Sequence, residues 1–221
     1  MEALEPARKR LSPERTRTND PERTKAELLA VATEEFAEFG FSGARVDAIA
    51  ERTRTSKRMI YYYFGGKEGL YLAVLEKAYG DVRAIEAGLN LDALQPEDAL
   101  RHLIEQTFEY DDTHVDFVRL VAIENIHHAK HLAGAPAIRR INLRAIELIE
   151  RILVRGRVAG RFRDDLGAVD VHMAISALCF FRVANRYTFG EIFQVDLSEP
   201  ALRAKHKQMI ADAVIRLLRK E

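Results

Sequence analysis

From residue 24 onward, apolar positions recur every three or four residues, and no stretch alternates with period two. The expected fold is therefore all-α. A first helix opens at Asp20 or Thr24, with Pro21 suited to a first-turn position and Thr24-x-x-Glu27 spaced as a capping box. Leu28, Ala32, Phe36 and Phe39 give it one apolar face. Gly40 takes the left-handed conformation that stops it, leaving Phe41 to fold back on Phe36. Two short helices follow at 46–53 and 57–63, then a longer one at 67–88. Further helices are expected at 96–110, 114–131, 137–156 and 168–187, and a last one runs from Ser198-x-Pro200 to about 218. That makes about nine helices in three parts: a mobile N-terminal arm over 1–20, broken by Pro6 and Pro13, a head over 21–82, and a larger helical domain over 83–221.

The two short helices carry the chemistry. Val46, Ile49, Ala50 and Thr53 share one side of the first; Ile60 and Phe64 form the inward face of the second, with Ser56 placed to cap it. Helices of two turns are marginal alone, so both must pack on the first long helix. The outward face of the second is then Lys57, Arg58, Met59, Tyr61, Tyr62 and Tyr63. The whole chain is neutral, with 34 basic and 34 acidic residues, so no global field draws a polyanion to it. Locally, residues 45–67 hold six basic side chains against Asp47 and Glu51, an excess of four positive charges. Cations and phenols at a helix N-terminus suit phosphate oxygens and base edges. Three consecutive exposed tyrosines are costly unless they bind something.

Phe36, Gly40-Phe41, Ile49-Ala50, Ser56, Ile60-Tyr61, Tyr63-Phe64, Lys67-Glu68 and Leu70 share the spacing of one known module. Over about residues 24–76 the chain resembles the DNA-binding head of the tetracycline-repressor (TetR) family. The resemblance implies a three-helix helix-turn-helix whose helix 57–63 enters the major groove of double-stranded operator DNA. Tyr61, Tyr63 and Lys67 would grip phosphates, and Lys57, Arg58, Met59 and Tyr62 would lie nearest the bases. Arg45, standing where the family often has a capping threonine, would add a phosphate contact, with Val46 and Asp47 beside it. Arg54-Thr55 replaces a common Gly-Val pair in the turn, so a left-handed Arg54 costs about 1 kcal/mol relative to glycine.

The remainder would dimerise and bind an effector. Val169, Met173, Ala177 and Phe180 form one apolar stripe, and Leu202, Met209, Ala213, Val214 and Leu217 another. The resemblance pairs these with their copies in a homodimer. An effector pocket is expected from Phe108, Phe117, Leu120, Val121 and Phe181, with Glu124, Asn125, His128, Arg144 and Asn185 as polar groups. The effector would be a small, partly apolar organic molecule that releases a repressor from its operator. An activator on the same head, or a helical metal-dependent enzyme, are the alternatives. The enzyme would use Glu124 with His128, or His127 with His131, joined by His102, His114, His172 or His206; no metal or other cofactor is expected. Cys179 stands alone in an apolar run, which excludes an internal disulfide framework. No apolar run reaches the ~18 residues of a membrane span, and the start lacks an export signal, so the cytosol is expected and no membrane contact.

Overall fold

The computed structural model describes residues 20–220. These hold ten α-helices: α1 (Pro21–Gly43), α2 (Val46–Arg52), α3 (Lys57–Phe64), α4 (Lys67–Gly88), α5 (Pro96–Thr113), α6 (Val115–Ile126), α7 (Pro136–Val158), α8 (Ala168–Ala184), α9 (Arg186–Phe193) and α10 (Pro200–Leu218). Single 3-10 turns precede α5 and α7. The arm expected over 1–20 lies outside the described residues except for Asp20. Four helices open on proline, where the missing N–H would have no intrahelical acceptor anyway. Asp20 caps α1 by accepting from the Glu22 and Arg23 amides at 3.1 and 3.2 Å. Thr24 sits inside the helix, its hydroxyl donating to the Asp20 carbonyl, and Glu27 pairs with Arg23 at 3.1 Å; the Thr24–Glu27 capping box does not form.

Gly40 breaks α1 at φ 68°, and Phe41 stacks on Phe36 across the break with ring centroids 6.4 Å apart. Phe39, expected on the apolar face, points to solvent instead. One apolar cluster joins Leu28, Ala32 and Phe36 of α1 to Ile49, Ile60 and α4 residues Leu70, Tyr71 and Val74; Leu120 of α6 and Ile138 of α7 belong to it too. A second cluster is built from α5, α7, α8 and α10. The head therefore rests directly on the larger domain. Between them, buried Glu124 accepts from the Tyr71 hydroxyl at 2.8 Å and from the His131 backbone amide at 3.3 Å, and faces His131 Nδ1 at 2.9 Å. Burial first, then Glu124, raises the pKa of the Tyr71 phenol and keeps it protonated.

Two boundaries differ from expectation. Helix α6 ends at Ile126 because His128 and Ala129 both adopt positive φ, 57° and 55°, and the Ala129 amide closes back on the Glu124 carbonyl at 2.7 Å. That exposed turn carries His131 onto Glu124, so the segment closes a buried polar junction at its two ends and is not a fifth turn of helix. The helix expected over 168–187 splits at Asn185 into α8 and α9, bent by 65°. Asp112 of α5 fastens this corner, meeting Arg182, Arg186 at 3.2 Å and Arg203 at 2.6 Å. Burial opposes its charge, but the hydrogen bonds from Arg203 and Arg182 outweigh that and hold its pKa below the usual carboxylate value. No single described helix is long and apolar enough to cross a membrane.

Candidate functional site

The reading head is set by close backbone approach. Gly65, at φ 74°, ends α3 with its amide on the Tyr61 carbonyl at 2.8 Å. A Cβ on Gly69 would lie 1.8 Å from the Phe64 carbonyl oxygen, so only glycine lets α4 start this close to the end of α3. Ile60 is fully buried, Phe64 half-buried, and the opposite side of α3 is bare. Tyr62 is 77% exposed and Tyr61 57%. Tyr63 and Met59 are half-buried, Tyr63 edge-on to both Tyr62 and Phe64 and packed against the head cluster. Ser56 precedes α3 without a side-chain cap; its carbonyl accepts the Met59 amide at 2.9 Å instead.

The local positive charge divides into held and open groups. Lys57 pairs with Asp47 across the turn, and Arg52 pairs with Glu34 and lies 3.9 Å from buried Glu35. Lys67 donates to the Ser42 carbonyl at 3.3 Å, its ammonium 5.1 Å from the centre of the Phe41 ring. Arg45, Arg54 and Arg58 are exposed and make no ion pair among the described residues. Arg45 opens α2 without a side-chain cap, its amide donating to Glu35 at 3.0 Å. Val46 packs against the head cluster and so is turned from the open face. Arg54 does adopt the left-handed conformation, φ 51°. It was visible in the sequence as a charge but not as a contact, because its outward aim depends on that turn.

Helices α8 and α10 expose the apolar stripes only in part. Met173 and Ala177 of α8 and Met209, Ala213 and Leu217 of α10 face outward at four-residue spacing. Val214 does not: it is 1% exposed and belongs to the second cluster with Ala211 and Ile215. Phe180 turns inward, while its neighbour Phe181, expected in the pocket, is 52% exposed and packs edge-on against Phe189. One residue on a helix shifts a side chain by about 100°, enough to exchange the two roles.

A cavity of about 190 Å³ lies between α4, α5, α6, α7 and α8. Phe117 and Val121 line it as expected, together with Phe180. The other expected members lie elsewhere. Phe108 is buried in the second cluster beneath the Arg182 and Arg203 guanidinium groups; Leu120 is in the head cluster; Glu124 is at the junction. Asn125 is exposed and donates to the Val121 carbonyl of its own helix, His128 is exposed in the turn, and Asn185 caps the end of α8. Arg144 stands outside, in a separate recess. The polar groups of the cavity are instead Tyr79, Arg83 and Glu86 of α4, Thr107 and Asp111 of α5, Asn142 of α7, and His172 and Ser176 of α8. Burial pushes Asp111 up to about 7, raises Glu86 and Tyr79, and lowers Arg83 and His172. These residues sit on helical faces that also read as ordinary surface, so periodicity alone does not single them out.

The histidines do not gather. Glu124 and His128 share no helix face because α6 has already ended, His114 stacks on Tyr110, and among the described residues no three His, Cys, Asp or Glu side chains are placed to hold a metal. Cys179 is buried, and burial pushes its thiol up to about 12.

The model of bacterial regulatory proteins of the tetR family matches residues 28–74, and that of the tetracyclin repressor-like C-terminal domain matches 96–214. The HTH-type transcriptional repressor NicS of Pseudomonas putida is 35% identical over 204 residues, covering 92% of this chain and 96% of that protein. The HTH-type transcriptional repressor SCO4008 of Streptomyces coelicolor is 37% identical over 109 residues, 49% of this chain and 53% of that one. In fold, the transcriptional regulator SCO4942 of Streptomyces coelicolor superimposes with a TM-score of 0.66 at 24% identity, covering 88% of this chain and 98% of that one. A bare helix α3 on a glycine-tight head, an all-helical body and near full-length kinship to NicS lead to one conclusion: the chain belongs to the TetR family and is a DNA-binding transcriptional regulator.

Proposed function

We propose that the protein is a cytosolic, homodimeric repressor that leaves its operator when a small organic molecule fills the cavity between α4 and α8. The observation that carries this reading is the double duty of α4. Its first turn is fixed to α3 through Gly69 and Phe64, and its last turns line the cavity through Tyr79, Val82, Arg83 and Glu86. Twenty-two residues of one helix span about 33 Å, so a small tilt at the cavity moves the reading helix as a rigid lever. The head over 21–82 and the remainder over 83–221 then work as two bodies joined inside α4. The outward faces of α8 and α10 supply the dimer contact, and Arg45, Arg54, Arg58, Tyr61 and Tyr62 supply the open DNA face. Lys57 and Lys67 join it on exchanging Asp47 and the Ser42 carbonyl for phosphate. Kinship to two proteins named as repressors favours repression over activation.

In a two-fold dimer the reading helices must sit about 34–36 Å apart to enter successive major grooves. A ligand preferring the splayed form by about 3 kcal/mol lowers operator affinity roughly a hundredfold, by reciprocal linkage. The test places spin labels at Ala26→Cys, an exposed α1 position outside the DNA face, in both protomers. Operator-bound protein should give one narrow distance, and an inducer identified by operator release should shift it by several ångströms. Release with the distance unchanged would contradict the lever.

A further inference from the structure

Among the described residues, Arg83 has two buried side-chain nitrogens without a hydrogen-bond partner. Its side chain is nine-tenths buried and lines the cavity, yet neither Nε nor Nη1 has a hydrogen-bond acceptor. Glu86, one turn along α4, approaches Nη1 to 2.8 Å, but off the N–H direction, so the pair has charge contact without hydrogen bonds. Burial weakens both partners' preference for charge, and their mutual attraction opposes that. Guanidinium donors left open in a buried pocket call for an anionic oxygen acceptor.

A second recess, of about 260 Å³, opens between α4 and α7. Arg83 and Glu86 line both this recess and the cavity, so the pair stands at the boundary between them. The outer side is bounded by Arg144 and Arg151 with Glu147, a basic surround for an approaching anion. The cavity walls opposite are Val82, Phe117, Val121 and Phe180. At about 190 Å³ the space is smaller than the ~300–1,000 Å³ of drug-sized ligand sites.

We propose that the cavity takes a compact monocarboxylate, which enters between α4 and α7 past Arg144 and Arg151 and binds Arg83 through its carboxylate in place of Glu86. The inference rests on the cavity being the effector site. A cationic ligand would instead use Glu86 and Asp111. Glu86 already faces Arg83, and burial favours the neutral form of Asp111, so the unmet groups are donors. Displaced from Arg83, Glu86 turns toward Arg144 and Arg151 in the recess. The ligand thereby rewires α4 itself, at the end of the lever far from α3.

Calorimetric titration of the full chain tests this with benzoate and hexanoate against benzamide and benzylamine. The carboxylates should bind at least about tenfold more tightly than the neutral and cationic counterparts. Arg83→Gln should abolish that preference while Arg83→Lys retains part of it, with melting curves showing that both variants fold. Arg151→Glu should slow association about threefold at low salt and much less at high salt. Benzamide or benzylamine binding as tightly as benzoate, carboxylate affinity unchanged in Arg83→Gln, or no carboxylate binding up to about 10 mM would each overturn the inference. The effector-site reading is judged separately. An inducer of any charge that contacts Phe117 and Phe180 upholds it even if carboxylates fail. Carboxylate binding that depends on Arg83 but leaves operator affinity unchanged defeats the switch and spares the ligand assignment.

Discussion

Arg54 and Arg58 show how a single side chain separates stability from function. Both are exposed and without an ion pair among the described residues, so each is free to neutralise a phosphate. Arg58→Ala should weaken operator binding by about 1 kcal/mol per protomer and reduce the slope of log affinity against log salt by about two units for the dimer, one per copy. Fluorescence anisotropy over a salt series reads both numbers. Arg54→Gly should lose a similar amount of binding yet melt at a higher temperature, because glycine relieves the positive φ. Equal or weaker stability in that variant would show that the turn is not strained. Asp111 makes the opposite kind of statement. Its carboxyl is raised from the ordinary 3.8 to about 7 by burial, so the native state holds this proton more tightly than the unfolded chain. Its contribution to stability is therefore lost as pH rises from about 4 through 7, by on the order of 2–4 kcal/mol. Glu86 acts in the same direction, and His172, lowered by burial, in the other. Asp111→Asn isolates the group: the variant should be the more stable protein near pH 8 and lose that advantage near pH 4 in urea titrations.

At the scale of elements, most boundaries were legible because their signals are local. Pro21, Pro96, Pro136 and Pro200 open helices, Gly40 breaks α1, and Ile60 marks the buried side of α3. What was not legible depended on tertiary partners. The end of α6 is decided by Glu124 turning inward to Tyr71 and receiving His131, and the α8–α9 corner by three arginines converging on Asp112. The cavity was legible only at two of its expected residues: Phe117 and Val121 carry an apolar signal, whereas Arg83, Glu86 and Asp111 read as surface charge until α7 and α8 cover them. The junction between α3 and α4 yields the sharpest element-level expectation. Gly69→Ala places a methyl group where the Phe64 carbonyl already stands, so α4 must shift. The variant should lose about 1–3 kcal/mol in chemical denaturation and bind operator more weakly than that loss alone explains. A fully stable, fully binding Gly69→Ala protein would mean that α3 and α4 do not move as one piece.

For the molecule as a whole, the reading depends on two heads held at a fixed spacing by a contact far from DNA. The outward apolar residues of α8 and α10, Met173, Ala177, Met209, Ala213 and Leu217, are the surface assigned to that contact. Ala213→Glu puts a charge at its centre and should reduce dimerisation and operator affinity together, read by sedimentation equilibrium and anisotropy on the same samples. The most direct test of the central claim is selection of binding sites from a randomised DNA duplex pool by the full-length protein. Because α3 of each protomer reads one half-site, the account predicts an inverted repeat with half-site centres about one helical turn apart. That repeat should be lost with Ala213→Glu protein, which cannot hold two heads at the spacing, and kept at lower enrichment with Arg58→Ala protein. Enrichment of a single asymmetric site, or of no site at all, would contradict it.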